Sequence, residues 1–287
     1  MPRIDVHQHL WPEEFIAALS RRDEPPRLRG STLEVAEGVY ETDLSAHDPV
    51  TRLAGLDREE LDMAIISLQP TLGVSRLPLE EQEELNGIWE SGALELVASA
   101  NGRFAALAPG RVTEGFVGAV APASALRDVD ALASLLGELA ERGGFLFVHP
   151  SGADPTPGAP AWWPAIVDYT HQMQAAYLTW LSYGQRHWPA VNVVFGILAG
   201  GGPFQLERLA SRGVAVRSGL HENVFLDTAS YGRRAIELCI ETYGVHQLVF
   251  GSDIPVVDGV ATLRAIRGFG DSVVQVITAD NPSRLLP

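Results

Sequence analysis

Along the chain, short and almost uniformly apolar runs alternate with longer stretches whose apolar residues recur at helical spacing. The short runs predict strands at 4–9, 63–68, 104–108, 116–121, 145–148, 191–198, 224–229 and 248–251. Between them the periodicity predicts helices over 11–22, 47–60, 79–101, 129–142 and 161–187, another ending near 212, and helical sequence after each of the last two strands. Asp48 followed by Pro49 suits the start of the second helix, and Gly143-Gly144 the end of the fourth. Strands that are apolar on both faces and alternate with helices imply a parallel sheet covered on both sides. Eight of them, with no linker, internal repeat or low-complexity block, predict one α/β domain over 1–287 closed as a (β/α)8 barrel. An open doubly wound sheet would more often carry a glycine fingerprint after its first strand, and none is present. Two irregularities are expected. Residues 23–45, rich in Pro, Arg and Gly, read as a small insertion after the first strand, with a hairpin over 32–42 turning at Glu37-Gly38. The third and fourth strands are too close in sequence for a full helical crossover, so their connection is shortened.

Composition narrows the partner. A formal net charge of -15 repels phosphate backbones and anionic lipid, leaving a small-molecule substrate as the expected ligand rather than nucleic acid or a membrane surface. All 21 basic residues are arginine, which excludes a lysine Schiff base, a phosphate-loop lysine and a carboxylated lysine bridging two metals. The lone Cys239 falls in a helical run and reads as a buried apolar thiol. With no internal disulfide, no signal-like N-terminus and no long apolar run, the expected location is cytoplasmic.

The first strand ends in His7-Gln8-His9, and alternation along a strand places His7 and His9 on one face within reach of a single ion. Functional groups of such a barrel gather at the carboxyl ends of its strands. The fifth strand ends in His149, and Asp253 follows the eighth within Gly251-Ser252-Asp253. Three imidazoles and a carboxylate suit one borderline divalent ion, zinc first among them, with a position left for water. Asp253 is then the candidate base as well as a ligand.

With Asp5-Val6-His7-Gln8-His9, His47-Asp48-Pro49 with Arg52 and Leu56-Asp57, His149-Pro150, the glycines 200–202, Leu226-Asp227-Thr228, Gly251-Ser252-Asp253-Ile254-Pro255 and Asn281-Pro282, nearly the whole chain resembles the amidohydrolase superfamily. The resemblance is to its amidohydrolase 2 branch, the relatives of aminocarboxymuconate-semialdehyde decarboxylase. It implies a distorted TIM barrel, a single divalent metal on His7, His9, His149 and Asp253, and a possible homodimer. It also implies a sixth-strand histidine that relays protons, where this chain has Ala199. His171, early in the helix after the fifth strand, is the candidate replacement; His187, His221 and His246 precede strands and belong to the opposite barrel end. Arg52 matches a family position near the substrate, where its guanidinium would pair with a carboxylate, an ion pair to Asp48 or Asp57 being the structural alternative. Trp11 is expected to line the pocket mouth and Trp162-Trp163 to roof it. The resulting expectation is a metal-dependent hydrolase attacking an ester, lactone or amide of a small carboxylated substrate. A decarboxylase of a small aromatic or unsaturated acid, and a catalytically silent ligand-binding barrel suggested by Ala199, stand as alternatives.

Overall fold

The structure, a computed structural model, describes residues 1–214 and 222–286. Eight parallel strands form one sheet in sequence order: β1 Ile4–His9, β2 Met63–Ser67, β3 Phe104–Pro109, β4 Gly118–Pro122, β5 Phe145–His149, β6 Asn192–Phe195, β7 Val224–Asp227 and β8 Leu248–Val249. Helices connect most of them, giving the expected distorted TIM barrel. The β3–β4 connection has no helix.

The ring closes between β1 and the segment continuing β8. Val6 N donates to Phe250 O at 2.9 Å, Asp253 N to His7 O at 2.8 Å and His9 N to Ile254 O at 2.8 Å. Ile4, Val6, Ile65, Phe145, Phe147, Val194, Phe225 and Val249 fill the lower lumen. A separate cluster between strands and helices includes Ala64, Ile66, Leu146, Phe195 and Leu248, so alternate strand residues serve the two faces. Burying each large apolar side chain contributes about 1.5–3 kcal/mol, and the filled lumen forms a floor beneath the strand ends.

One strand breaks the alternation. In β1, Asp5 pairs with Ala64 and Gln8 with Ile66, so three steps of β1 match two of β2. This bulge shifts the parity of the strand. Ile4 and Val6 point into the lumen, Asp5 and Gln8 outward, and His7 and His9 inward again.

The insertion after β1 forms an antiparallel sheet of Arg27–Arg29, Thr32–Val35 and Gly38–Glu41. The hairpin is as expected; the Arg27–Arg29 strand is an addition. Helix α1, Glu13–Arg21, precedes the insertion, and α2, Pro49–Arg58, follows it with Asp48 accepting from Thr51 N at 2.8 Å.

The sixth strand is shorter than its apolar sequence suggests. β6 stops at Phe195, and Ile197, Leu198, Ala199, Gly200 and Gly201 all have positive φ, between 46° and 81°. Each non-glycine residue wound this way costs about 1–2 kcal/mol. Close packing against the neighbouring helix holds the turn: a Cβ on Gly200 would lie 2.3 Å from Thr170 O, and Gln174 Nε2 donates to Gly200 O at 2.6 Å.

Candidate metal centre

His7, His9, His149 and Asp253 converge at the carboxyl end of the barrel, their ligand atoms all within 4.8 Å of one another. β1 supplies two imidazoles, β5 the third, and the turn after β8 the carboxylate, with Asp253 at a φ of 59°, a region that Asp tolerates better than most residues. The approach is close. A Cβ on Gly251 would stand 2.0 Å from Asp227 Oδ1 and 2.6 Å from His7 Cβ, so only glycine admits the strand here.

Outer partners fix each ring. His7 Nδ1 faces Asp227 Oδ2 at 2.8 Å, His9 Nδ1 faces Ser67 O at 3.1 Å, and His149 Nδ1 faces Pro150 O at 2.9 Å. All three partners are acceptors, so each Nδ1 carries the proton and each neutral Nε2 presents a lone pair inward. Those lone pairs face one another, His9 Nε2 lying 3.1 Å from that of His7 and 3.2 Å from that of His149. Asp253 Oδ1 lies 3.3 Å and 3.2 Å from the Nε2 atoms of His7 and His9, buried and without a hydrogen-bond partner. Convergent lone pairs and an orphaned carboxylate oxygen repel unless something positive lies between them. The donor set therefore fits a divalent cation, and the Nδ1 partners are the kind that orient metal-bound imidazoles.

The electrostatics agree. Burial opposes charge on His7, but Asp253 and Asp227 outweigh it and lift its pKa to about 9. Burial and the neighbouring His7 hold His9 low, and burial with His9 and His7 holds His149 well below its ordinary value. Burial alone would raise Asp253, yet the imidazoles around it keep its pKa below the usual carboxylate value. The two carboxylates thus make the His7 ring the place in the cluster most favourable to positive charge.

The other sequence candidates lie elsewhere or have other partners. Arg52 is buried, its Nη1 donating to Gln8 Oε1 at 2.9 Å and Ile254 O at 3.3 Å and its Nη2 to Ala46 O at 2.6 Å. Burial lowers its pKa to about 10. Neither expected ion pair forms: the Asp48 carboxylate caps α2, and Asp57 pairs with Arg103 at 2.7 Å. Trp11 is buried in the core rather than lining a mouth, stacked on His47 with centroids 4.3 Å apart and its indole donating to Gln69 Oε1 at 2.7 Å. His171 is exposed on α3, as we label Tyr169–Thr179, and is not among the clustered residues. His187 and His246 are exposed before β6 and β8, and His221 lies outside the described residues. Ala199 sits in the left-handed turn, buried, and brings no titratable group. Trp163 and the exposed Trp162 lie 6.0 Å apart. Trp163 lines a cavity of about 260 Å³ with Glu37 and Tyr40 of the insertion.

Two groups have roles that the sequence motifs did not assign to them. Asp227, fully buried, closes β7 against His7; a carboxylate ending an apolar strand was its signal. Glu37, at the hairpin turn, accepts from Ala153 N at 2.5 Å and from the Tyr169 hydroxyl, stapling the insertion to the segment after β5. Nothing local in the sequence reveals that contact.

The chain belongs to the amidohydrolase family, whose model matches residues 4–287. That is a family of enzymes, and the cluster lies where barrel enzymes of this kind place their chemistry. Similar solved structures include IDCase from Metarhizium anisopliae, 17% identical with a TM-score of 0.77, covering 99% of this chain and 96% of that one. They include 5-carboxyvanillate decarboxylase LigW from Sphingomonas paucimobilis, at 19% and 0.66, covering 99% and 98%. They also include 4-oxalomesaconate hydratase LigJ from Rhodopseudomonas palustris, at 16% and 0.72, covering 99% and 95%. At these identities the likeness shows the fold. A comparison with curated proteins found no match. Among the described residues no helix is long and apolar enough to cross a membrane.

Proposed function

We propose that this protein is a metal-dependent hydrolase that cleaves an ester, lactone or amide bond of a small molecule, with one divalent ion held by His7, His9, His149 and Asp253. The observation that carries the reading is the orphaned Asp253 Oδ1, buried and 3.2 Å from His9 Nε2. Zinc suits three nitrogens and one oxygen; manganese, bound in the structure of a 5-carboxyvanillate decarboxylase from Novosphingobium aromaticivorans, is the other ion to test. When bound, such an ion polarises a carbonyl and lowers the pKa of water.

The chain's own residues supply the remainder. Asp253 is the one carboxylate in the cluster and takes the proton of the attacking water, returning it to the leaving group. Asp227, Ser67 O and Pro150 O keep the imidazoles turned so that no Nε2 proton enters the site. His149 and Asp253 are 5% and 8% exposed, so the centre is almost closed to solvent. Arg52, the arginine expected beside a substrate carboxylate, is engaged instead by Gln8, Ile254 O and Ala46 O, so the reading assigns no residue to bind one.

A second reading, decarboxylation of a small aromatic or unsaturated acid, is favoured by the likeness to LigW and to 2,6-dihydroxybenzoate decarboxylase from Rhizobium. In it Asp253 would take a proton from water and pass it to the carbon that carbon dioxide leaves, the hydroxide left behind joining the carbon dioxide as bicarbonate. One experiment separates the two. The zinc- and manganese-loaded protein is screened against esters, lactones, amides and aromatic acids, with Asp253→Asn alongside, while acid and carbon dioxide release are both followed. Acid release abolished in the variant supports hydrolysis, and carbon dioxide release supports the second reading. Metal-loaded protein silent on every substrate would leave a ligand-binding barrel.

A further inference from the structure

The bulge in β1 has a visible holder. Asp5 is fully buried, and its Oδ1 accepts from two backbone amides at once, His7 N at 3.1 Å and Ser252 N at 3.0 Å. The first amide belongs to a residue of the cluster; the second lies one position before Asp253. The two segments that meet at the closing seam of the barrel are therefore pinned to one oxygen atom, one at His7 and the other beside Asp253. The other oxygen accepts from Gln8 Nε2 at 2.7 Å, and Gln8 Oε1 in turn accepts from Arg52 Nη1 at 2.9 Å. The Gln8 amide thus bridges a carboxylate and a guanidinium, which fixes its orientation and holds Asp5 in place.

Strict alternation from Ile4 and Val6, which fill the lumen, would carry His7 and His9 to the outer face with Asp5. The extra residue reverses that parity, and a bulge leaves a backbone amide without its ladder partner. Asp5 supplies an acceptor for His7 N. A carboxylate accepting two amides in a dry setting is worth more than a solvated contact, because each unmade bond would leave a buried donor unsatisfied.

We infer that Asp5, oriented by Gln8 and Arg52, is the positioning residue of the metal centre: it fixes the bulge that turns His7 and His9 inward and ties that bulge to the segment bearing Asp253. The inference rests on the metal-centre reading. It assigns Arg52 to the architecture of the site.

The test measures zinc affinity of the full chain by competition with a chromophoric chelator, and the visible spectrum of the cobalt-substituted protein, for wild type, Asp5→Ala, Asp5→Asn and Gln8→Ala. Far-ultraviolet circular dichroism checks that each variant is folded. Expected are one equivalent of metal in wild type, about 10- to 100-fold weaker binding with an altered cobalt spectrum in Asp5→Ala, and partial rescue in Asp5→Asn, whose remaining oxygen can accept both amides while its NH2 loses the bond from Gln8. Asp5→Ala that folds, binds zinc as wild type does and shows the same cobalt spectrum would overturn the inference. If Asp5→Ala does not fold, Gln8→Ala decides: weakened binding with an altered spectrum supports the clamp, and unchanged binding overturns it. Wild type that takes up no metal would instead overturn the metal-centre reading, a distinct failure.

Discussion

Replacing Asp227 by Asn tests whether the cluster depends on the group behind His7. Both side chains are fully buried, 2.8 Å apart, in a site from which water is excluded. Asp227 Oδ2 accepts from His7 Nδ1 and from Ile197 N at 3.3 Å, while Oδ1 accepts from Ala229 N at 3.0 Å. An amide has one oxygen for these three donors. It will face His7 and Ile197, because the opposite orientation would set its NH2 against two donors. His7 then keeps its tautomer but exchanges a charge-assisted hydrogen bond, about 1.5–3 kcal/mol, for a neutral one of about 0.5–1.5 kcal/mol. The difference, about 1–1.5 kcal/mol, corresponds to roughly five- to tenfold in metal affinity. The NH2 left against Ala229 N orphans a buried donor and should lower the stability of the metal-free protein by about 1–3 kcal/mol. Chelator competition reads the first quantity and urea unfolding in excess chelator the second. A variant that loses stability yet binds zinc within twofold of wild type would show that Asp227 supports the turn at Ile197 and does not tune His7.

Three further outcomes are expected. Gly251→Ala drives a methyl group into Asp227 and His7 and should cost about 1–3 kcal/mol of stability together with metal binding, read by thermal melts with and without zinc. Asp253→Asn should leave the fold intact and lower turnover by about 10²–10⁴, measured on whichever substrate the screen identifies. His47, stacked on Trp11 and accepting from Trp11 N at 3.0 Å, has its pKa pushed down to about 3 by burial and by Arg52. Unfolding lets it take up a proton near 6.5. Its contribution to stability is therefore fully present above that pH and lost as pH falls towards 3, by up to about 1.4 kcal/mol per unit. His47→Gln, which can still accept from Trp11 N, should flatten the wild-type decline between pH 6.5 and 4.5 in urea titrations of the metal-free protein.

Much of this was legible in the chain itself. The eight strands and most helices follow from runs and periodicities, because a parallel barrel buries whole strands and leaves their boundaries marked by glycine, proline and charge. The four clustered residues could be named because polar side chains ending apolar strands are conspicuous. What alternation could not reveal is the bulge. It placed His7 and His9 on one face correctly but gave no sign that this face is the one opposite Asp5. Ile197 and Leu198 carry strand-favouring side chains, yet tertiary contacts at Gly200 and Gln174 wind them left-handed, overriding local preference. Trp11 follows His9 closely and Arg52 falls within a family motif, but their partners, Gln69 and Gln8, are reached only through the fold.

The position of the cluster on the closing seam has a consequence for how the chain folds. Asp5 and Ser252, joined by a hydrogen bond, stand 247 positions apart, and bringing such distant segments together costs about 5 kcal/mol in loop entropy. His7 and His9 arrive with the first strand, Asp253 only after the last, so the full set of donors cannot exist in any form whose ring is still open. The site is for that reason a late product of folding and a reporter of it: a partly folded chain, however rich in native strands, holds an incomplete set. An ion on these four residues would latch the two ends of the sheet, acting on the step with the longest reach in sequence, where contact order makes formation slowest.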